Sequence, residues 1–145
     1  MVSKDKRKFK RYFRESKFFI KHNNKLLKAE LTDYSLDGLG ALVKDSPDIV
    51  KGNVVDLNIK EPEIMISGKI MWTNPHNSGL RIGIKNIGTV KGLIKDFRFA
   101  DTLIGLQRSL KTGILKIHSE NMVKKIYIKN GDMIFSASNQ DEDRL

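Results

Sequence analysis

Two arginines stand four residues apart in Arg7-Lys8-Phe9-Lys10-Arg11, and Asp33-Tyr34-Ser35-Leu36-Asp37-Gly38 begins 22 positions after Arg11. In an extended chain a four-residue spacing spans about 13 Å. The downstream hexapeptide reads D-x-S-x-x-G and ends where a strand begins. By itself each motif is ambiguous. An R-x-x-x-R pattern is close to chance in so basic a segment, and Asp, Ser and Gly together commonly build a turn whose side chains cap backbone N–H groups.

The basic segment is itself informative. The 145-residue chain has a net charge of +10, and residues 1–28 hold eleven Lys or Arg against two acids, Asp5 and Glu15. Nearly all the excess thus lies in the first fifth of the chain. Such a concentration fits a nucleotide, nucleic acid or anionic membrane surface, or else a solvated basic tail. The absence of cysteine excludes disulfides and thiolate metal sites and fits a cytoplasmic protein. No apolar run reaches the roughly 18 residues of a membrane helix, and Met1-Val2-Ser3-Lys4-Asp5-Lys6 has no apolar stretch of the signal-peptide kind.

Short strands must position these residues. Phe18–His22, the turn Asn23-Asn24, and the alternating Leu27–Leu31 come first, followed by Gly38–Val43, Val54–Ile59, Ile64–Trp72 and Leu80–Ile84. Pro47, Pro62 and Pro75 are expected between strands, where a missing N–H costs no ladder bond. Six short strands about ten residues apart predict a small barrel or sandwich. The period changes near residue 89. Leu103, Leu106 and Leu110 predict a helix over 100–111, capped near Asp101 and stopped by Gly113. Ile114–Ile117 and Lys125–Ile128 are strands, and Asn130-Gly131 is a hairpin turn leading into Met133–Phe135. One helix and a three-stranded meander make a thin core, which suggests a truncated unit or one completed by another surface.

In this order and spacing the two motifs resemble the PilZ family, whose signature is R-x-x-x-R in an N-terminal arm followed by [D/N]-x-S-x-x-G on a six-stranded barrel. Gly68–Trp72 and Leu80–Ile84 are similar to that family's closing strands. The resemblance covers roughly residues 4–88. It implies a mainly β protein: a small six-stranded antiparallel barrel (17–88) with a flexible basic arm (1–16), preceding a small α+β unit (89–145). It also implies a non-catalytic bacterial receptor for cyclic di-GMP, with no other cofactor. Arg7, Arg11, Asp33, Ser35 and Gly38 would be the ligand-binding residues. Arginine forks match guanine O6 and N7 or stack on the purine, Asp33 accepts from guanine N–H groups, and Gly38 permits a close approach or a positive φ. Lys6, Lys8 and Lys10 are secondary candidates for the phosphates, and Asp37 faces solvent. Lys6 stands before Arg7 where many members have arginine, which leaves one or two bound ligand molecules open.

The second unit has its own resemblance. Gly92–Phe97, Leu103–Gln107, Lys111–Leu115 and Ile126–Asp132 look like the start of a PATAN-type domain, which implies a protein partner for this unit. Other chemistries lack support in the sequence. His22, His76 and His118 have no ligand spacing, Gly68-Lys69 lacks the upstream glycine of a phosphate loop, and no nucleophile elbow occurs. Trp72 reads as a core residue. Two alternatives to a cyclic di-GMP receptor remain: a small basic barrel that binds single-stranded nucleic acid through the arm and Trp72, and a PilZ adaptor without ligand.

Overall fold

The computed structural model describes residues 8–45, 48–88, 91–92 and 97–138. Lys10–Asp101 forms one compact unit, and the residues from Thr102 onward, with Phe9, form another.

The first unit is a closed antiparallel barrel. β1 (Tyr12–His22), β2 (Lys25–Tyr34), β3 (Gly38–Val43), β4 (Val54–Ile59), β5 (Ile64–His76) and β6 (Gly79–Asn86) run in the order β4-β1-β2-β3-β6-β5, and β4 pairs with β5 to close the ring. A two-residue strand, β7 (Lys91–Gly92), adds to β5 opposite Ile64 and Met65. Closure removes the free edges that an open sheet of this size would present. The period-2 pattern is clean on β4, where Val55, Leu57 and Ile59 turn inward between exposed neighbours. They meet Ile20, Leu31, Leu39, Val43, Ile70 and Ile82, all at most 2% exposed.

The β1–β2 turn places Asn23 and Asn24 at φ of 50° and 61°, the paired positive values of a tight hairpin that asparagine tolerates. β1 begins at Tyr12, earlier than the expected end of the arm at 16, because Tyr12 pairs with Tyr34 and its ring joins the core margin. β5 runs past Trp72 to His76, so Pro75 lies inside a strand, opposite Leu80, rather than between strands. There β5 pairs only with β6, and the other edge needs no N–H from Pro75.

α1 (Phe99–Arg108) begins in the first unit and continues into the second, where it precedes the three-stranded sheet β8 (Gly113–Ser119), β9 (Met122–Lys129), β10 (Asp132–Ser138), ordered β10-β9-β8. The helix ends at Arg108, short of the expected 111, and Gly113 is not what stops it. Leu110 takes φ 52°, its N–H donates to the Gln107 carbonyl at 3.2 Å, and Lys111 N–H donates to the Leu106 carbonyl at 3.3 Å. This is a Schellman ending with leucine in the glycine position. Asn130 and Gly131 form the β9–β10 turn at φ 50° and 85°, as read from the sequence. The Gly131 N–H donates to the Lys111 carbonyl at 2.8 Å, which ties the hairpin tip to the turn after α1.

Candidate functional site

The hexapeptide forms one end of the barrel. Asp33 is the penultimate residue of β2, Gly38 the first of β3, and Ser35-Leu36-Asp37 the turn between them. Ser35 is buried. Its N–H donates to the Gly38 carbonyl at 2.8 Å, and its Oγ accepts from the Asp37 N–H at 3.3 Å and donates to the same Gly38 carbonyl at 3.4 Å. The Asn86 N–H donates to the Asp37 carbonyl at 2.8 Å, fixing the turn to the end of β6. Ser35 therefore braces the turn. At Gly38 the structure shows no positive φ, and the close approach it does show is to the facing strand, where a Cβ would run into the Ile84 carbonyl oxygen.

Asp33 meets Arg11 directly. Arg11 Nη1 donates to Asp33 Oδ2 at 2.7 Å, and Thr32 Oγ1 donates to Asp33 Oδ1 at 3.0 Å. The carboxylate side chain is 17% exposed and the guanidinium side chain 31%. A short charge-assisted bond in that setting holds better than a surface pair, where screening removes most of the gain. Two local features make room for it. The β2–β3 register shifts between Leu31 and Asp33, which places Asp33 opposite Gly40. A Cβ on Gly40 would collide with Asp33 Oδ1 and crowd Thr32 Oγ1. Gly40 is thus a site residue that the motif alone did not indicate. Its signal is the second glycine in Gly38-Leu39-Gly40 beside an acid-bearing strand.

A recess of about 180 Å3 opens beside the turn, lined by Arg11, Asp37, Gly38, Met71, Trp72, Gly83, Ile84 and Lys85. Trp72 is 45% exposed and is not a core residue. A register shift between Ile70 and Trp72 turns the indole outward onto Gly83, where any Cβ would strike the ring. The indole, the Arg11 guanidinium and the bare Gly38 backbone therefore border one space. Asp37 is exposed, as expected, and also lines that space. Its volume is below the roughly 300–1,000 Å3 of enclosed small-molecule sites.

Arg7 and Lys6 lie outside the described residues. Lys8 is exposed. Lys10 lies 3.8 Å from Asp101 and 6.0 Å from the centre of the Tyr12 ring. The Tyr12 hydroxyl donates to the Phe97 carbonyl at 2.7 Å or Asp101 Oδ2 at 2.9 Å, sharing one proton between them. Burial, with the hydrogen bond and charge of Asp101 adding to it, pushes the Tyr12 phenol up to about 12. Its ring packs 5.3 Å from Tyr34, which in turn meets Phe97 edge-on at 5.4 Å. The residue that follows Arg11 is therefore fixed by both rings and hydrogen bonds. In the second unit Phe9 is 8% exposed, and Gly105 of α1 lies against its ring with no space for a Cβ.

His22, His76 and His118 all lie on strands, and among the described residues no three His, Asp or Glu gather as a metal site. Among those residues no helix is long and apolar enough to cross a membrane.

The described residues thus form a closed six-stranded antiparallel barrel with Arg11 docked on Asp33 at one end. The PilZ domain model matches residues 5–97, and the chain belongs to the PilZ family. That family comprises cyclic di-GMP receptors, and its domains are generally non-catalytic binding modules. No curated protein matches the chain.

Proposed function

We propose that this chain is a non-catalytic cyclic di-GMP receptor in which Arg7, Arg11, Asp33, Ser35 and Gly38 form the ligand site, with Lys6, Lys8 and Lys10 toward the phosphates. The observation that carries this reading is the 2.7 Å bond between Arg11 and Asp33, which joins the two motifs across 22 residues. The guanidinium already lies at the mouth of the recess, and the carboxylate holds one of its two edges while leaving donors for guanine O6 and N7. Trp72 supplies a flat face beside it. Lys85 adds positive charge, and Asp37 is the one acid in the lining. Arm residues preceding Arg11 would cover the ligand, and their ordering would be the signal passed to a protein partner.

We place the functional division after residue 88, with Phe97 returning to the barrel core. The unit beyond it is a PATAN-like interaction module, and the setting is the bacterial cytoplasm. Calorimetry with cyclic di-GMP tests the site. Arg7→Ala and Arg11→Ala should each lose most of the affinity, and unchanged binding in both would refute the assignment. The adaptor reading has one observation in its favour: Asp33 and Ser35 already have internal partners. It predicts no thermal shift with ligand, whereas a receptor at 100 times the dissociation constant gains about 2.7 kcal/mol.

A further inference from the structure

The barrel carries a second concavity, with a lining distinct from that of the recess beside the turn. It is a groove of about 830 Å3 across the outer faces of β1, β4 and β5, and it shares no lining residue with the recess beside Arg11. The ladder explains its composition. Phe19 pairs with Asn58, and Asn58 pairs with Met65, so these three side chains form one row outside the barrel. Leu26, Lys21, Asp56 and Ser67 form the next row.

The apolar members of these rows are open to solvent. Phe19 is 52%, Met65 55% and Leu26 69% exposed. Three apolar side chains exposed side by side in a concave site differ from scattered surface residues and mark an interaction surface. The charges point one way. Lys17, Lys21 and Lys60 line the groove and make no ion pair among the described residues. The one acid in the lining, Asp56, accepts a 2.6 Å hydrogen bond from Ser67.

We infer that this groove docks an acidic, amphipathic segment of a partner protein, with apolar side chains on Phe19, Leu26 and Met65 and carboxylates on the three lysines. Lysine rims with an apolar floor select for that combination, because the rim charges repel basic partners and the floor gains from apolar burial. A bilayer is too flat to fill a concavity. A nucleic acid would find one exposed ring, Phe19 (Phe18 is buried), and no arginine in the lining, where stacking platforms and guanidinium forks are the usual devices. A second copy of this chain would bring a net charge of +10 to a lysine-rimmed surface. The inference stands independently of the cyclic di-GMP reading.

The test is selection of a phage-displayed library of random 16-residue peptides on the intact chain. Enriched sequences should be rich in Asp and Glu and carry at least two apolar residues. Their affinity should fall at least tenfold in Phe19→Ser/Met65→Ser and in Lys17→Glu/Lys60→Glu, and should not change in Arg11→Ala. All four groove positions point outward, so both variants should melt cooperatively. If a double variant does not, Phe19→Ser and Lys60→Ala are read singly. Enrichment of neutral or basic sequences, no enrichment, or binding that survives both groove variants would overturn the inference. So would tighter groove-dependent binding of phosphatidylglycerol vesicles or of a 20-mer oligonucleotide in the same competition.

Discussion

Gly40→Ala should damage the site from beneath without touching either signature motif. Gly40 has no positive φ, so alanine fits its backbone and the whole effect comes from one methyl group. That methyl would meet Asp33 Oδ1 and Thr32 Oγ1. An isolated carboxylate would swing aside at little cost, but this one is held at 2.7 Å by Arg11 and 3.0 Å by Thr32. Overpacking of this kind costs about 1–3 kcal/mol. Here much of it would be the lost bond between two side chains 17% and 31% exposed, which puts the expected loss at about 2 kcal/mol. For a barrel of this size that lowers Tm by roughly 8–15 °C.

Asp33→Ala supplies the control. It removes the obstructing carboxylate, so the two changes cannot be additive. The double variant should be more stable than the sum of the single losses predicts by about 1 kcal/mol or more. Thermal melts of the four proteins give the cycle, and calorimetry with cyclic di-GMP gives the functional counterpart, in which Gly40→Ala should weaken binding about 10-fold or more. A Gly40→Ala protein as stable as the parent, or strict additivity with Asp33→Ala, would refute the steric account of the site.

Other consequences are simpler to read. Trp72 is the only tryptophan, so titration with cyclic di-GMP should change the intrinsic fluorescence of the chain, and Arg11→Ala should abolish the change. Absorbance titration of the phenols should include a step near 12, and Tyr12→Phe should remove it. The sign for stability follows: the unfolded phenol ionises from about 10 while the folded one stays protonated, so the contribution of Tyr12 is complete below pH 10 and is lost between 10 and 12. Urea melts of Tyr12→Phe should converge on those of the parent over that window. Gly131→Ala combines a φ of 85° with a clash against the Gln107 backbone and should cost the second unit about 1–2 kcal/mol or more, measured by urea unfolding.

The strands were legible where period 2 and turn chemistry agreed. Gly38–Val43 and Val54–Ile59 match their sequence readings residue for residue, and Asn23-Asn24 and Asn130-Gly131 are the turns they promised. The misreadings have a common physical source. Pairing extends a strand as long as a partner offers hydrogen bonds, whatever the local pattern. Tyr12–Lys17 is drawn into β1 by β2, and Thr73–His76 into β5 by β6, despite the proline. The sequence predicts α1 to run to 111 and to be stopped by Gly113, because glycine is the usual left-handed residue, yet Leu110 occupies that conformation and the helix ends at Arg108. Helix geometry fixed the position, and propensity alone did not.

The site was legible as two motifs but not as a surface, and register explains the gap. A one-residue shift in a ladder turns a side chain from one face to the other, and no composition rule records where a shift falls. One shift between Leu31 and Asp33 sets the carboxylate over Gly40, and another between Ile70 and Trp72 lays the indole on Gly83. Each of these two bulges has a glycine opposite it, which leaves space on the neighbouring strand for the reoriented side chain. An apolar strand residue such as Trp72 is read inward from its neighbours, and only the paired glycine, Gly83 in Ile82-Gly83-Ile84, hints that it lies outside. In a barrel sequence, a glycine interrupting an apolar strand thus deserves to be read together with the bulky or charged residue that the facing strand can bring over it. Applied here, that pairing draws Trp72 and Asp33 toward the same end of the barrel as Arg11.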